Sequence, residues 1–95
     1  NLGIIHTVLR DKLYDSEFVA KWVEGLNKLQ SFVKKYTPEW AEKETGIPAD
    51  EIVGFAHEVS SDKPSVIFHP GWLTARYLDS FYSSRTVWMI PRLRA

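Results

Sequence analysis

The sequence predicts an α/β fold: a helix-rich chain with one parallel-type strand that forms part of a larger α/β domain. Apolar residues recur at helical spacing from Leu2 to Val59. The continuous apolar run Ser65–Phe68 follows, and an unbroken run of this composition is typical of a strand covered on both faces. A last helix is predicted from Leu73 until Pro91 removes a backbone donor and ends it.

Five helices are predicted before this strand. Asp15 or Ser16 is expected to cap the second helix, and Gly25 to end it. Thr37–Pro38 has the pattern of a helix start, and Gly3 is expected to weaken the start of the first helix. The five helical patterns, each given from its first to its last residue, are Leu2–Leu13, Phe18–Val23, Leu26–Tyr36, Pro38–Gly46 and Ile52–Val59.

A solitary strand poses a structural problem, because its backbone donors and acceptors need neighbouring strands. Two explanations stay open. Either the neighbours come from another chain, or these residues are a piece of a larger α/β protein whose other strands lie elsewhere in its sequence.

Composition excludes several classes of function. The 95 residues contain 12 Lys+Arg and 12 Asp+Glu, and this zero net charge argues against a nucleic-acid partner, since such domains carry a basic surplus. No cysteine is present, which excludes a thiolate zinc site, an iron–sulfur cluster and a cysteine nucleophile within these residues. The three histidines lack ligand spacing, so no metal ligands are predicted.

The loop that follows the predicted strand is the candidate binding site. Ligands of open α/β sheets bind beyond the carboxyl ends of strands, where the next helix starts with unpaired N–H groups. His69 has a titratable hydrogen-bond donor, and Gly71 would let a ligand approach the backbone closely. Trp72 has a flat apolar ring, and Arg76 has a planar cation. The alternative is a tight turn with a packed tryptophan and a surface arginine.

Three stretches of the sequence resemble one known family. They are LYDSEFVAKWVEGLNKLQSFV (Leu13–Val33), YTPEWAEKETGIPADEI (Tyr36–Ile52) and PSVIFHPGWLTARY (Pro64–Tyr77). Together they resemble the catalytic subunit of the dimethyl-sulfoxide-reductase family of molybdopterin oxidoreductases. Two features look most like the branch of this family that reduces polysulfide, thiosulfate or tetrathionate. They are the Pro-Gly-Trp loop with its nearby arginine and the sequence Ser84-Arg85-Thr86.

The resemblance implies the fold context and the cofactors. Residues 1–90 would form an incomplete part of a molybdopterin-binding α/β domain, and residues 91–95 an atypical tail where the sequence departs from the family. The parent subunit would hold molybdenum in molybdopterin guanine dinucleotide and a 4Fe-4S cluster outside this segment. His69, Gly71 and Trp72 would bind the cofactor and Arg76 the substrate, with no catalytic residue or metal ligand in this chain.

The resemblance also implies an assembly. Expected partners are the rest of the catalytic subunit, an iron–sulfur electron-transfer subunit and a membrane anchor subunit, in a periplasmic membrane-associated complex. The parent would be an oxidoreductase in anaerobic respiration, and these 95 residues alone would not turn over. The competing hypothesis is a small helical protein-interaction module that completes its sheet by pairing Ser65–Phe68 with a partner.

Overall fold

The computed structural model describes residues 1–62, 65–71 and 76–94, and these residues form helices without any strand. The α/β prediction is therefore wrong for the described chain. No helix in these ranges combines the length and the apolar character that crossing a membrane requires. The helices, in chain order, are α1 (Leu2–Arg10), α2 (Ser16–Trp22), α3 (Leu26–Val33), α4 (Pro38–Thr45), α5 (Ala49–Ser61) and α6 (Ser80–Arg94).

Local sequence signals set most of the early helix boundaries. The Asp15 carboxylate accepts the Phe18 N–H at 3.0 Å at the start of α2, so Asp15 rather than Ser16 is the cap. The Thr37 hydroxyl accepts the Trp40 N–H at 3.1 Å in the same way at the start of α4. Gly46 ends α4 in the left-handed conformation, with φ of +76°. These caps confirm the sequence predictions.

Helix α1 is the central element of the fold. It contacts α3, α4, α5 and α6, and its Ile5 and Val8 are almost completely buried. Ala56 of α5 and Ile90 of α6 join the same core cluster. The buried Thr7 hydroxyl is satisfied inside α1, because it donates to the Gly3 carbonyl at 2.9 Å. Helices α3, α4, α5 and α6 therefore pack around α1, whereas α2 packs against α6.

Gly3 permits the closest approach in this core. A Cβ atom added at Gly3 would lie 3.0 Å from Ala41 Cβ of α4 and 3.3 Å from Ile52 Cγ2 of α5. The sequence interpretation of Gly3 as a weak helix start misses this role. The missing side chain lets α1 lie directly against two other helices.

The segment Ser65–Phe68 is the main departure from the predicted fold. It is assigned neither helix nor strand, and exposure alternates along it: Val66 and Phe68 are half-buried, whereas Ser65 and Ile67 are exposed. Ile67 is 91% exposed, while Phe68 packs against the core cluster. The unbroken apolar run predicts burial on both faces of Ser65–Phe68, but only the face with Val66 and Phe68 is turned toward the core. With no described strand beside it, the segment has no ladder to join.

The last helix also differs from its prediction. The described helix begins at Ser80, residues 76–79 before it are not helical, and the predicted start at Leu73 lies outside the described residues. Pro91 lies inside this helix instead of ending it. Proline removes one helical hydrogen bond, but Ile90 and Leu93 are only 1% and 2% exposed and anchor the chain on both sides of Pro91. The Asp15 N–H also donates to the Leu93 carbonyl at 2.8 Å. Packing of the last turn thus outweighs the local cost of the proline.

Two glycine substitutions test the packing around α1. Gly3→Ala should lower the free energy of unfolding by about 1–3 kcal/mol, because its methyl group meets a Cβ that cannot rotate away. Gly54→Ala is the matched control: nothing lies within 4 Å of its added Cβ, and it should raise stability by about 0.5–1 kcal/mol through helix propensity. Urea unfolding followed by circular dichroism measures both. Equal stabilisation by the two alanines would contradict the close packing at Gly3.

Candidate functional site

The loop predicted to bind a ligand lies on the surface of the described chain. His69, Gly71 and Arg76 are all exposed, and Trp72 lies outside the described residues. Gly71 adopts φ of +75°, a conformation that favours glycine. Three of the four predicted site residues are thus exposed, and residues 72–75, which separate Gly71 from Arg76, lie outside the described ranges.

A hydrogen bond within this loop fixes the histidine tautomer. The Gly71 N–H donates to His69 Nδ1 at 3.0 Å, which requires an unprotonated Nδ1. The neutral imidazole therefore carries its proton on Nε2. Because His69 is exposed, its Nε2–H is available to donate to a group outside this chain.

The described residues do not by themselves enclose a pterin cofactor at this loop. His69, Gly71 and Arg76 are open to solvent, and none of them lines the large cleft described below. Nor do the described ranges contain a cluster of three or more His, Asp or Glu side chains that could hold a metal ion. A cofactor site here would need walls from other polypeptide segments.

The other two histidines join elements that are distant in sequence. His6 Nδ1 lies 2.8 Å from the Val33 carbonyl, which connects α1 to the end of α3. His57 Nε2 lies 2.8 Å from Asp11 Oδ2, which connects α5 to the end of α1. The spacing of the histidines in the sequence gives no sign of these partners, since each bond spans more than 25 residues of chain.

Asp11 is the most perturbed carboxylate in this part of the molecule. Hydrogen bonds from Arg10, at 2.7 and 3.1 Å, lower the pKa of Asp11 to about 2, and the contact with His57 acts in the same direction. The pair is partly exposed, so solvent screens it. These contacts stabilise the junction of α1 and α5 and do not form a catalytic arrangement.

A cleft separates α3 from α6, which both contact α1. Its volume is about 800 Å³, and Asn1 and Leu2 at the start of α1 form part of its wall. No sequence motif could have found this cleft, because its walls come from distant parts of the chain. The principal apolar and aromatic lining residues are Leu26, Leu29, Phe32, Trp40, Tyr82 and Met89.

Sequence comparison assigns this helical segment to a class of redox proteins. The chain is 37% identical over 70 residues to the thiosulfate reductase molybdopterin-containing subunit PhsA of Salmonella typhimurium, a match that covers 74% of this chain. It is 31% identical over 100 residues to trimethylamine-N-oxide reductase 1 of Escherichia coli, covering 99% of this chain. Dimethyl sulfoxide reductase DmsA of Escherichia coli is 28% identical over 110 residues, covering 96%. No family model matches the chain.

These similarities show that the chain belongs to the family of molybdopterin oxidoreductase catalytic subunits. The resemblance found in the sequence is thereby confirmed. The matches cover only 9%, 11% and 13% of the length of PhsA, trimethylamine-N-oxide reductase 1 and DmsA, so the chain corresponds to a small part of each relative.

The Asp11 contacts predict a pH-dependent stability difference. The pKa of Asp11 is lowered in the folded chain, so its stabilisation is present above about pH 4 and is lost as the pH falls through about 2. Asp11→Asn should therefore unfold more easily than the original chain at pH 7, by a few tenths to about 1 kcal/mol after solvent screening. Urea midpoints measured between pH 7 and pH 2 should converge at the acidic end. A constant difference across this range would show that charge is not the cause.

Proposed function

We propose that this chain is a helical segment of the molybdenum-binding catalytic subunit of a respiratory reductase. The observation that carries the proposal is the 37% identity with the thiosulfate reductase subunit over three quarters of the chain. Reductases of dimethyl sulfoxide and trimethylamine N-oxide match nearly the whole chain at lower identity. The proposed activity is reduction of a sulfur compound or an N-oxide.

Exposed apolar side chains support a place inside a larger protein. Leu78 is fully exposed, and Ile67, Trp22 and Tyr77 are more than two-thirds exposed. In the complete subunit these side chains would be covered by the rest of the polypeptide.

We also propose a sulfur substrate: thiosulfate, polysulfide or tetrathionate. Among the relatives compared above, the thiosulfate reductase subunit has the highest identity with this chain. The Pro-Gly-Trp loop with Arg76 and the Ser84-Arg85-Thr86 sequence support the same branch by resemblance. By the same resemblance, an iron–sulfur subunit and a membrane anchor subunit would complete a periplasmic complex.

The proposed cofactor is molybdenum in molybdopterin guanine dinucleotide, which supplies the redox chemistry when it is bound. This chain would contribute His69, Gly71 and Trp72 to the surface that faces the cofactor. Exposure of His69 and Gly71 supports this role, because both are open to a neighbouring segment. A 4Fe-4S cluster would take its cysteine ligands from other parts of the subunit, since this chain has none.

The competing hypothesis of an interaction module has less support than the family assignment. The segment Ser65–Phe68, which would pair with a partner, is not assigned as a strand.

The complete gene product tests the proposed class and substrate. The purified subunit should contain molybdenum and should reduce thiosulfate, polysulfide or tetrathionate faster than dimethyl sulfoxide or trimethylamine N-oxide. Elemental analysis and reduction assays with a dye as electron donor measure the two properties. A protein without molybdenum would refute the proposed class, whereas a molybdenum protein that prefers an N-oxide would refute only the sulfur substrate.

Arg76 is predicted to hold an anionic substrate in the complete subunit. Arg76→Ala should lower kcat/KM while the molybdenum content stays the same. The loss should correspond to about 2–4 kcal/mol of transition-state stabilisation, because the charge interaction in the reacting state is lost. Arg76→Lys should restore little, since a point charge cannot form two parallel hydrogen bonds to an oxyanion. Lys43→Ala, which removes an exposed cation from α4, is the control and should have no effect. Unchanged activity of Arg76→Ala would make Arg76 an ordinary surface residue.

A further inference from the structure

We propose that the loop of His69, Pro70 and Gly71, here called the 69–71 loop, responds to protonation. Neutral His69 holds the loop closed through its bond with Gly71, and protonated His69 releases it. This response rests on the proposed function, in which His69 and Gly71 face the cofactor, and adds a pH-dependent control of that surface.

The Gly71 N–H defines the closed form of the 69–71 loop. It donates to His69 Nδ1 at 3.0 Å, a bond that joins a side chain to the backbone two residues further on. Asparagine and aspartate side chains make the same two-residue bond in Asx turns. In the 69–71 loop an imidazole nitrogen takes the place of the amide or carboxylate oxygen. The bond therefore depends on the protonation state of the ring.

The chemistry of imidazole makes this bond sensitive to pH. A neutral histidine has one ring nitrogen that accepts and one that donates, whereas both nitrogens of a charged ring are donors. Protonation of His69 would place an N–H on Nδ1 opposite the Gly71 N–H, and two donors cannot form a hydrogen bond. Histidine is the side chain that ordinarily changes charge between pH 5 and 8. The bond should accordingly be present at pH 8 and lost at pH 5.

The residues around this bond confine its effect to the loop. Phe68, directly before His69, packs against the core cluster. Pro70 has no N–H that could donate to the ring in place of Gly71. Gly71 adopts φ of +75°, which brings its N–H to the ring in a conformation that other residues rarely adopt. Loss of the His69 bond would change the loop beyond Phe68, while Phe68 keeps its place in the core.

No charged partner of His69 competes with this effect in the described ranges. The ion pairs recorded there lie within α2 and at the junction of α1 and α5. The nearest charged side chains along the described chain are Asp62 before the loop and Arg76 and Asp79 after it, all exposed. No hydrogen bond or ion pair joins any of these three to His69. The contact with Gly71 is therefore the one through which the charge of the ring acts on the loop.

The two states of the loop present different groups to a ligand. In the closed loop, His69 exposes an uncharged Nε2–H, which suits a hydrogen-bond acceptor such as a carbonyl or an oxyanion. In the open loop, the ring is charged and no longer held by the backbone. The closed loop is thus preorganised for an acceptor atom, and contact with that atom should weaken in acid.

Hydrogen exchange in the complete subunit tests the proposal. Mass spectrometry with fragmentation follows two sites in one sample: the Gly71 amide, which reports the bond, and the His69 ring carbon Cε1, whose exchange rate reports protonation of the ring. Protection of the Gly71 amide is taken relative to an unstructured peptide at the same pH. It should be several-fold greater at pH 8 than at pH 5, and the change should follow the titration of His69.

Two variants separate His69 from other titrating groups. His69→Asn keeps an acceptor for the Gly71 N–H that does not titrate in this range, so the Gly71 amide should stay protected at both pH values. His69→Ala removes the acceptor, so protection should be low at both. Equal protection of the Gly71 amide at pH 8 and pH 5 in the original subunit would overturn the proposal, as would a pH response that persists in His69→Asn.

Molybdenum content, measured on the same preparations, separates this proposal from the proposed function. A subunit without molybdenum whose Gly71 amide follows the titration of His69 would refute the proposed function and keep the proton-sensitive loop. A molybdenum-containing subunit with constant protection of Gly71 would refute the proton-sensitive loop alone.

Discussion

The close contact of α1 with α4 and α5 at Gly3 is the constraint on which the packing of the described helices depends. With no side chain at this position, α1 approaches to the point where an added Cβ would lie 3.0 Å from Ala41 Cβ. This approach lets Ile5 and Val8 reach the centre of the core beside Ala56 and Ile90. A larger residue would separate the helices, and protein interiors tolerate such overpacking poorly.

The same arrangement determines which surfaces stay open. Because α3 and α6 both pack on α1, a cleft remains between them. The loop with His69 and Gly71 lies outside that cleft and is exposed, while the neighbouring Phe68 is fixed against the core. The cleft is lined mainly by apolar and aromatic side chains, whereas the loop exposes His69 and Gly71 to solvent. A segment with two such surfaces fits a place within a larger subunit, which agrees with relatives of which it spans about a tenth.

The polar contacts of the chain illustrate how geometry separates structural from functional groups. Asp11 has the lowered pKa, mainly because the neighbouring Arg10 donates hydrogen bonds to its carboxylate, and His57 of α5 contributes a second contact in the same direction. His69 has no such long-range partner among the hydrogen bonds of the described residues, only the N–H of Gly71 two positions away. A perturbed pKa therefore marks a junction of helices here, and the candidate site is defined by exposure and position instead.

The sequence by itself determined the early helices and the family. Asp15, Thr37 and Gly46 act through backbone bonds to residues close by, so their effect can be predicted from local order alone. The motifs from Leu13 to Ile52 likewise indicated a molybdopterin oxidoreductase without any coordinates. Only the tertiary structure decided the rest: the role of Gly3, the continuation of α6 through Pro91, and the exposed Ile67 in a run that predicted a buried strand. Each of these three features depends on contacts between residues that are distant in sequence. Burial and packing are set by the assembled core, so neighbouring residues in the sequence do not determine them.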